Sequence, residues 1–188
     1  PLVMGLLGIS EVLLNIESPE GRIILKTGIS HLLPNLEDWK KSAKPIGRGT
    51  LLGFFLGILP GGGAIVSSFV SYAIEKKFSR TPEEFGKGAI EGVAGPESAN
   101  NAASSSGFIP LFSLGIPTNV ITALLLGALM IHGMRPGPLL ISKNPEIFWG
   151  TVASMYLGNV MLLVLNLPLI GIWVKVLKVP YKTLFPLI

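Results

Sequence analysis

The stretch Gly53–Lys77 reads GFFLGILPGGGAIVSSFVSYAIEKK, and its interpretation decides the fold. It is apolar over a length that could cross a bilayer, yet it is interrupted at Pro60-Gly61-Gly62-Gly63. A helix needs about 20 apolar residues to span the hydrocarbon core. Each half here has roughly a dozen, about 18 Å of helix, and reaches about halfway. Pro60 removes a backbone donor, and the glycines favour non-helical conformations. Non-helical backbone at membrane depth persists only when it is buried in protein or lines a polar cavity. The interruption therefore marks a candidate ligand site. The competing reading is a kinked structural helix, or a loop between two core helices.

The whole chain agrees with a membrane setting. Of its 188 residues 49% are hydrophobic and only 14% are charged, against about 25% charged in soluble domains. The mean hydropathy is +0.61. There is no cysteine, which excludes disulfides and thiolate metal sites. The net charge of +4 sits mainly between apolar runs, as in membrane loops, and gives no support to nucleic-acid binding. The chain opens and closes in apolar sequence with no signal-peptide pattern, so it is expected to be an internal piece of a longer membrane protein. The expected fold is an all-α integral membrane domain over residues 1–188, with discontinuous or re-entrant helices.

Residues 1–16 read as the end of a membrane helix. Residues 17–48 carry Arg22, Lys26, Lys40, Lys41, Lys44 and Arg48, and read as a cytoplasmic loop with one short helix. Lys76, Lys77, Arg80 and Lys87 follow the broken stretch 49–77. Two basic flanks suit a hairpin that enters and leaves on one face better than a simple span. Thr81-Pro82-Glu83-Glu84 has the form of a capping box, predicting a surface helix from Pro82 to about Val93. Gly95-Pro96 is expected to interrupt it, ahead of a small, polar segment reaching residue 106. Residues 107–133 form a second apolar stretch, broken at Gly115-Ile116-Pro117-Thr118-Asn119, where Thr118 or Asn119 can cap the helix that resumes. That helix is expected to end at His132-Gly133. Residues 147–176 suit one tilted membrane helix with a possible bend at Pro168.

The two breaks share one design: an apolar helix, then Gly and Pro, then a helix restarting beside small or hydroxylated residues. Each restarted helix presents free N–H groups and a positive dipole end, which favour anions such as carboxylates. Neither stretch has Lys or Arg in its apolar interior, so neutral donors must hold such an anion. The candidates are Gly61, Gly62, Gly63, Ala64, Ser67, Ser68, Thr118 and Asn119. Against this, each hydroxyl can simply bond back to its own helix. Asn100 and Asn101 offer oxygen ligands for a coupling cation, and Glu97 could carry a proton at membrane depth. The contrary reading places Glu97 in water at a helix end. PGGG lacks the Lys-Ser/Thr of a phosphate-binding loop. No Gly-x-Ser-x-Gly or His-Glu-x-x-His occurs, and His31 and His132 are the only histidines.

GILPGGGAIVSSFVSYAIEKK (Gly57–Lys77), FGKGAIEGVAGPESANNAASSSGFIPLFSLGIP (Phe85–Pro117), ALLLGALMIHGMRPGP (Ala123–Pro138) and GISEVL (Gly8–Leu13) occur in an order and spacing that resemble the large membrane subunit of the tripartite tricarboxylate transporters. The resemblance covers most of the chain and corresponds to most of that family's second half. It implies one half of an inverted-repeat secondary transporter in the bacterial cytoplasmic membrane, multi-pass. It further implies a small membrane subunit and a periplasmic solute-binding protein as partners. Carboxylate uptake would be driven by an ion gradient, with Na+ or H+ as coupling ion and no other cofactor.

Two further classes remain beside the transporter reading. A non-transporting membrane scaffold would use Gly and Pro only for close packing. A membrane-embedded hydrolase would need Ser104–Ser106 paired with His132.

Overall fold

A computed structural model describes residues 33–177, with side chains to residue 172. The expectations for residues 1–16, the GISEVL motif, His31 and the start of the basic loop lie outside the described residues. Every regular element among the described residues is helical.

The first helix, α1, runs Leu36–Ile58. Asn35 starts it with a closed capping box: its side chain accepts from the Asp38 N–H, and the Asp38 carboxylate accepts from the Asn35 N–H, both at 2.9 Å. This corrects the reading of residues 17–48 as a loop with one short helix. From Leu36 onward the basic segment is part of a 23-residue helix that continues into the apolar run. All but one of its Pro and Gly residues, which look like loop punctuation, lie on its buried face; Gly47 is exposed. Ser42, Pro45, Gly49, Gly53 and Gly57 are its buried residues.

Leu59–Gly62 breaks the chain, and α2 resumes over Gly63–Phe78. The Gly62 N–H donates to Leu59 O at 3.1 Å and closes the turn. The chain then runs back along α1. Arg48 near the middle of α1 meets Glu75 near the end of α2, with Nε donating to Oε1 at 2.9 Å and a second bond from Nη2 to Oε2. The Arg48 guanidinium also sits over the Phe78 ring, 5.8 Å from its centroid. The two half-helices are thus antiparallel neighbours.

The predicted helix from Pro82 to Val93 is corrected. A 3-10 turn, Pro82–Glu84, forms there, and helix resumes only at Glu91. Thr81 Oγ1 bonds the Glu84 side chain at 3.2 Å instead of capping a backbone amide. Gly86 and Gly88 take positive φ and end the turn. Phe85, buried, anchors the loop edge-to-face on Tyr72.

Helix α3, Glu91–Ser106, runs straight through Gly95-Pro96, where an interruption was expected. Pro96 is its sixth residue, so only one early hydrogen bond is lost. The small, polar segment is therefore helix. Its buried residues Gly95, Ala99, Ala103 and Ser106 face the glycines of α1. A Cβ at Gly49 would fall under 3.0 Å from Gly95 O, one at Gly53 under 3.0 Å from Ala99 O, and one at Gly57 under 3.0 Å from Ala103 O. This is small-xxx-small packing with backbones in contact, the usual way apolar helices associate where no hydrophobic effect drives them together.

After Gly107 come α4 (Phe108–Leu114), α5 (Val120–Ile131), the single turn α6 (Leu140–Lys143) and α7 (Pro145–Leu177). Helix α5 ends where the sequence places its end, with Gly133 at φ 73°. Leu111, Phe112, Leu129 and Leu140 form a buried apolar cluster joining α4, α5 and α6, with Phe108, Met134 and Phe148 packed against it. Residues 34–157 make one unit; a second includes residues 158–177. Pro145–Ile172, mean hydropathy 1.8, is the one helix among the described residues long and apolar enough to cross a membrane. Helix α7 continues through Pro168.

The outer faces of α1, α2 and α5 are greasy. Phe55, Ile65, Phe69, Val120 and Ile121 are each more than 60% exposed. Large apolar side chains left exposed in this number mark surfaces that lipid or protein covers.

Candidate functional site

The breaks predicted from sequence are both present, and they touch. The Gly61 N–H donates to Thr118 O at 3.0 Å. A Cβ at Gly63 would lie 4.0 Å from Asn119 Cβ. The tip of the α1–α2 hairpin and the α4–α5 break therefore form one patch of irregular backbone.

Each break has its own cause. At the second, Gly115 ends α4 in the left-handed conformation, φ 71°, with its N–H on Leu111 O at 3.0 Å. Asn119 starts α5 with its side chain accepting from the Thr122 N–H at 3.0 Å. Thr122 Oγ1 in turn accepts from the N–H groups of Thr118 and Asn119, both at 3.0 Å. At the first break Gly62 precedes α2 without any side-chain cap. The first-turn amides of α2, from Gly63 and Ala64 onward, consequently have no side-chain partner, while the dipole of a 16-residue helix adds positive potential there.

The candidate donors differ in availability. The Thr118 and Asn119 amides are taken up by Thr122, and Gly61 and Gly62 by the two breaks themselves. Ser67 Oγ donates to Gly63 O at 2.7 Å and is fully buried. Ser68 Oγ donates to Ala64 O at 2.9 Å and reaches Pro96 O on α3 at 3.4 Å. Both serines bond back to their own helix, the alternative weighed from sequence. The Thr118 hydroxyl is buried against α3–α4, where a Cβ at Gly107 would come within 2.7 Å of it. What remains near the junction is the amide end of α2, the Asn119 amide nitrogen, 3.5 Å from Thr118 Oγ1, and the hydroxyls as acceptors.

Glu97, Asn100 and Asn101 lie on α3. Glu97 and Asn101 are exposed and Asn100 is half-buried. They occupy the face turned away from the Gly95–Ala99–Ala103 contact with α1, and their side chains make no hydrogen bond or ion pair with another described residue. The structure does not bring them into the Gly61–Thr118 junction.

Several residues escaped the sequence reading. Thr122 is buried and organises the second break; its signal was the spacing Asn119-x-x-Thr122, a capping box with Thr at the third position. The glycines Gly49, Gly53 and Gly57, four apart, were not read as a packing stripe; their regular spacing was the signal. Glu75 is 1% exposed, a buried carboxylate that its basic neighbours Lys76 and Lys77 disguise as surface. Next to it the Ser71 hydroxyl is buried with no hydrogen-bond partner among the described residues.

The family model described as the tripartite tricarboxylate transporter TctA family matches residues 1–188. An uncharacterized 52.8 kDa protein in the TAR-I ttuC' 3' region of Agrobacterium vitis is 50% identical over 187 residues, covering 100% of this chain and 37% of the relative. An uncharacterized protein in the TAR-II ttuC' 3' region of the same organism is 58% identical over 136 residues, covering 72% of this chain and 56% of the relative. The chain thus spans between about one third and just over half of the curated relatives it matches. No solved structure matches it. With the match running over its whole length, the chain belongs to the tripartite tricarboxylate transporter TctA family.

Proposed function

We propose that this chain is part of the membrane permease subunit of a binding-protein-dependent secondary transporter, importing tricarboxylates or related carboxylates on an ion gradient. The observation that carries the reading is the contact between the two broken helices, Gly61 N–H to Thr118 O. Broken apolar helices meeting at their irregular segments are the way transporters build a polar site at the midplane, with half-helix N-termini facing the anionic group. The substrate carboxylate sits against the uncapped amides at Gly63 and Ala64, beside Asn119 and Thr118, with Gly61, Gly62, Ser67 and Ser68 shaping the wall. The coupling Na+ or H+ is handled away from this junction, by Glu97, Asn100 and Asn101 on the outer face of α3.

The spacing of charge fits a re-entrant hairpin. From Arg48 to the end of α1 is about 15 Å of helix, and from Gly63 to Glu75 about 18 Å. A tip at mid-bilayer puts the Arg48–Glu75 pair near the edge of a hydrocarbon core about 30 Å thick. The protein then lies in the bacterial inner membrane, multi-pass, as one half of an inverted repeat. A small membrane subunit and a periplasmic solute-binding protein complete the system.

The test uses the full-length protein in its native operon context, with cysteine placed at Ala64. A water-soluble thiol reagent is expected to label it, and a bound tricarboxylate to protect it. Labelling that no carboxylate alters, or no labelling at all, would remove the site from this position.

The scaffold reading draws support from the glycine stripe of α1, whose members serve packing. It separates from transport by Asn101→Ala. The scaffold leaves carboxylate uptake unchanged when assembly is normal; the transporter loses it.

A further inference from the structure

A cavity of about 410 Å³ opens between the end of α5 and the start of α7, lined by Arg135, Lys143 and Asn144 with the backbone of Gly133 and Gly137. No acidic residue lines it, and none of the residues of the two breaks does. Arg135 and Lys143, like most described basic residues, form no ion pair with a described residue. The walls are fixed from both sides. The Met134 N–H donates to Leu129 O at 2.9 Å and the Gly137 N–H to Phe112 O at 3.1 Å. Leu140 is 2% exposed in the apolar cluster. The Asn144 N–H closes α6 on Leu140 O at 2.8 Å, and Asn144 O accepts from Ile147 at 3.1 Å as α7 begins. Two exposed cations thus border a concavity whose backbone is hydrogen-bonded on both sides.

Its position selects the ligand. The apolar α5 ends at Ile131 just before the cavity, and the apolar stretch of α7 starts at Pro145 just after it. Where two apolar helices meet charge, the surrounding medium is the headgroup layer, and its anions are phosphates. Arginine offers a planar donor fork to phosphate oxygens and lysine a point charge. Basic concavities between membrane helices at that depth take phosphate-bearing headgroups.

We propose that this cavity is a phosphate site, with the phosphate gripped by Arg135 and Lys143 and a further hydrogen bond from Asn144. The phosphate comes from an anionic lipid headgroup or from free phosphate. The inference rests on the membrane placement argued above but not on the transport reaction or the Gly61–Thr118 site.

The full-length protein is extracted from membranes, reconstituted in phosphatidylcholine nanodiscs with and without phosphatidylglycerol, and examined for retained lipid by native mass spectrometry. Wild type is expected to retain phosphatidylglycerol over phosphatidylcholine, and Arg135→Gln/Lys143→Gln to lose about thirtyfold of that preference, the effect of two interfacial cations. Arg135→Lys/Lys143→Arg keeps both charges and should keep most of the preference. Inorganic phosphate added to detergent-solubilised protein separates the sources: displacement of retained lipid and a thermal shift absent from the double Gln variant identify free phosphate as a ligand, and retention unaffected by phosphate identifies the lipid. Equal retention by wild type and the double Gln variant, with no phosphate-dependent shift in either, overturns the site while leaving the membrane placement intact. Recovery of the protein in the soluble fraction overturns both.

Discussion

The amide of Gly61 and the carbonyl of Thr118, 57 positions apart in the chain, are hydrogen-bonded at 3.0 Å. Each belongs to a segment that stops being helical inside an apolar run, and each satisfies a backbone group the other break leaves open. Buried irregular backbone is costly unless paired. The contact pairs one donor of the first break with one acceptor of the second, although Leu59 and Ile116 beside it stay exposed.

The α1–α3 interface should be intolerant of side-chain bulk. Gly53→Leu drives a side chain into Ala99 O, where even a Cβ has no room. We expect a loss of about 1–3 kcal/mol or more, read as a lower melting temperature of the purified protein. Gly127→Leu, in open surroundings on α5, should cost about 1 kcal/mol at most, or stabilise, because it replaces a helical glycine.

Arg48 and Glu75 should behave as a pair. Arg48→Ala leaves a carboxylate that is 1% exposed without its partner. The cost should be about 3 kcal/mol, the lower end for a broken buried pair because Arg48 itself is partly exposed. Arg48→Met/Glu75→Leu should recover most of it. A double variant no more stable than Arg48→Ala would show that the pair contributes nothing specific.

Thr122 should matter more than its place in an apolar helix suggests. Thr122→Val removes the acceptor for two amides and should cost about 2 kcal/mol, at the upper end for a cap. Thr122→Ser should restore it. If the break also serves uptake, the Val variant loses uptake in proportion to the loosened cap, and the Ser variant regains it.

The two buried serines of α2 should differ. Ser67 Oγ is satisfied by Gly63 O, while Ser71 Oγ has no partner among the described residues. Ser67→Ala should cost about 1 kcal/mol, and Ser71→Ala should be neutral or stabilising.

The breaks were legible because Pro-Gly-Gly-Gly and Gly-Ile-Pro-Thr-Asn stand inside apolar runs that have no other reason to carry them. The end of α5 was legible from His132-Gly133. The first half of α1 was not, because Pro45 and Gly49 look like loop residues unless the small face of α3, against which Gly49 packs, is known. For the same reason Gly95-Pro96 read as a stop. One member of the pair lies close against Glu75, where a Cβ would come within 2.6 Å of its Cγ, and the other falls early enough in α3 to be tolerated. Capping boxes were detected unevenly: Thr81–Glu84 was expected and does not start a helix, while Asn35–Asp38 and Asn119–Thr122 do. Local spacing does not say which box the tertiary structure will use. Of the candidate site residues, those at the breaks were placed together by a contact that no local pattern encodes. Which amides stay free was not legible, because it depends on Thr122, three residues beyond the motif.

The most direct measurement is disulfide cross-linking of Gly63→Cys/Asn119→Cys in the full-length protein, with any cysteine outside these 188 residues replaced. The Cβ positions lie 4.0 Å apart, within the range a disulfide spans. Rapid, near-complete cross-linking in native membranes under mild oxidant is the expected result. Two cysteines that each react with a thiol reagent yet never cross-link would contradict the meeting of the two breaks, and with it the binding site built on them.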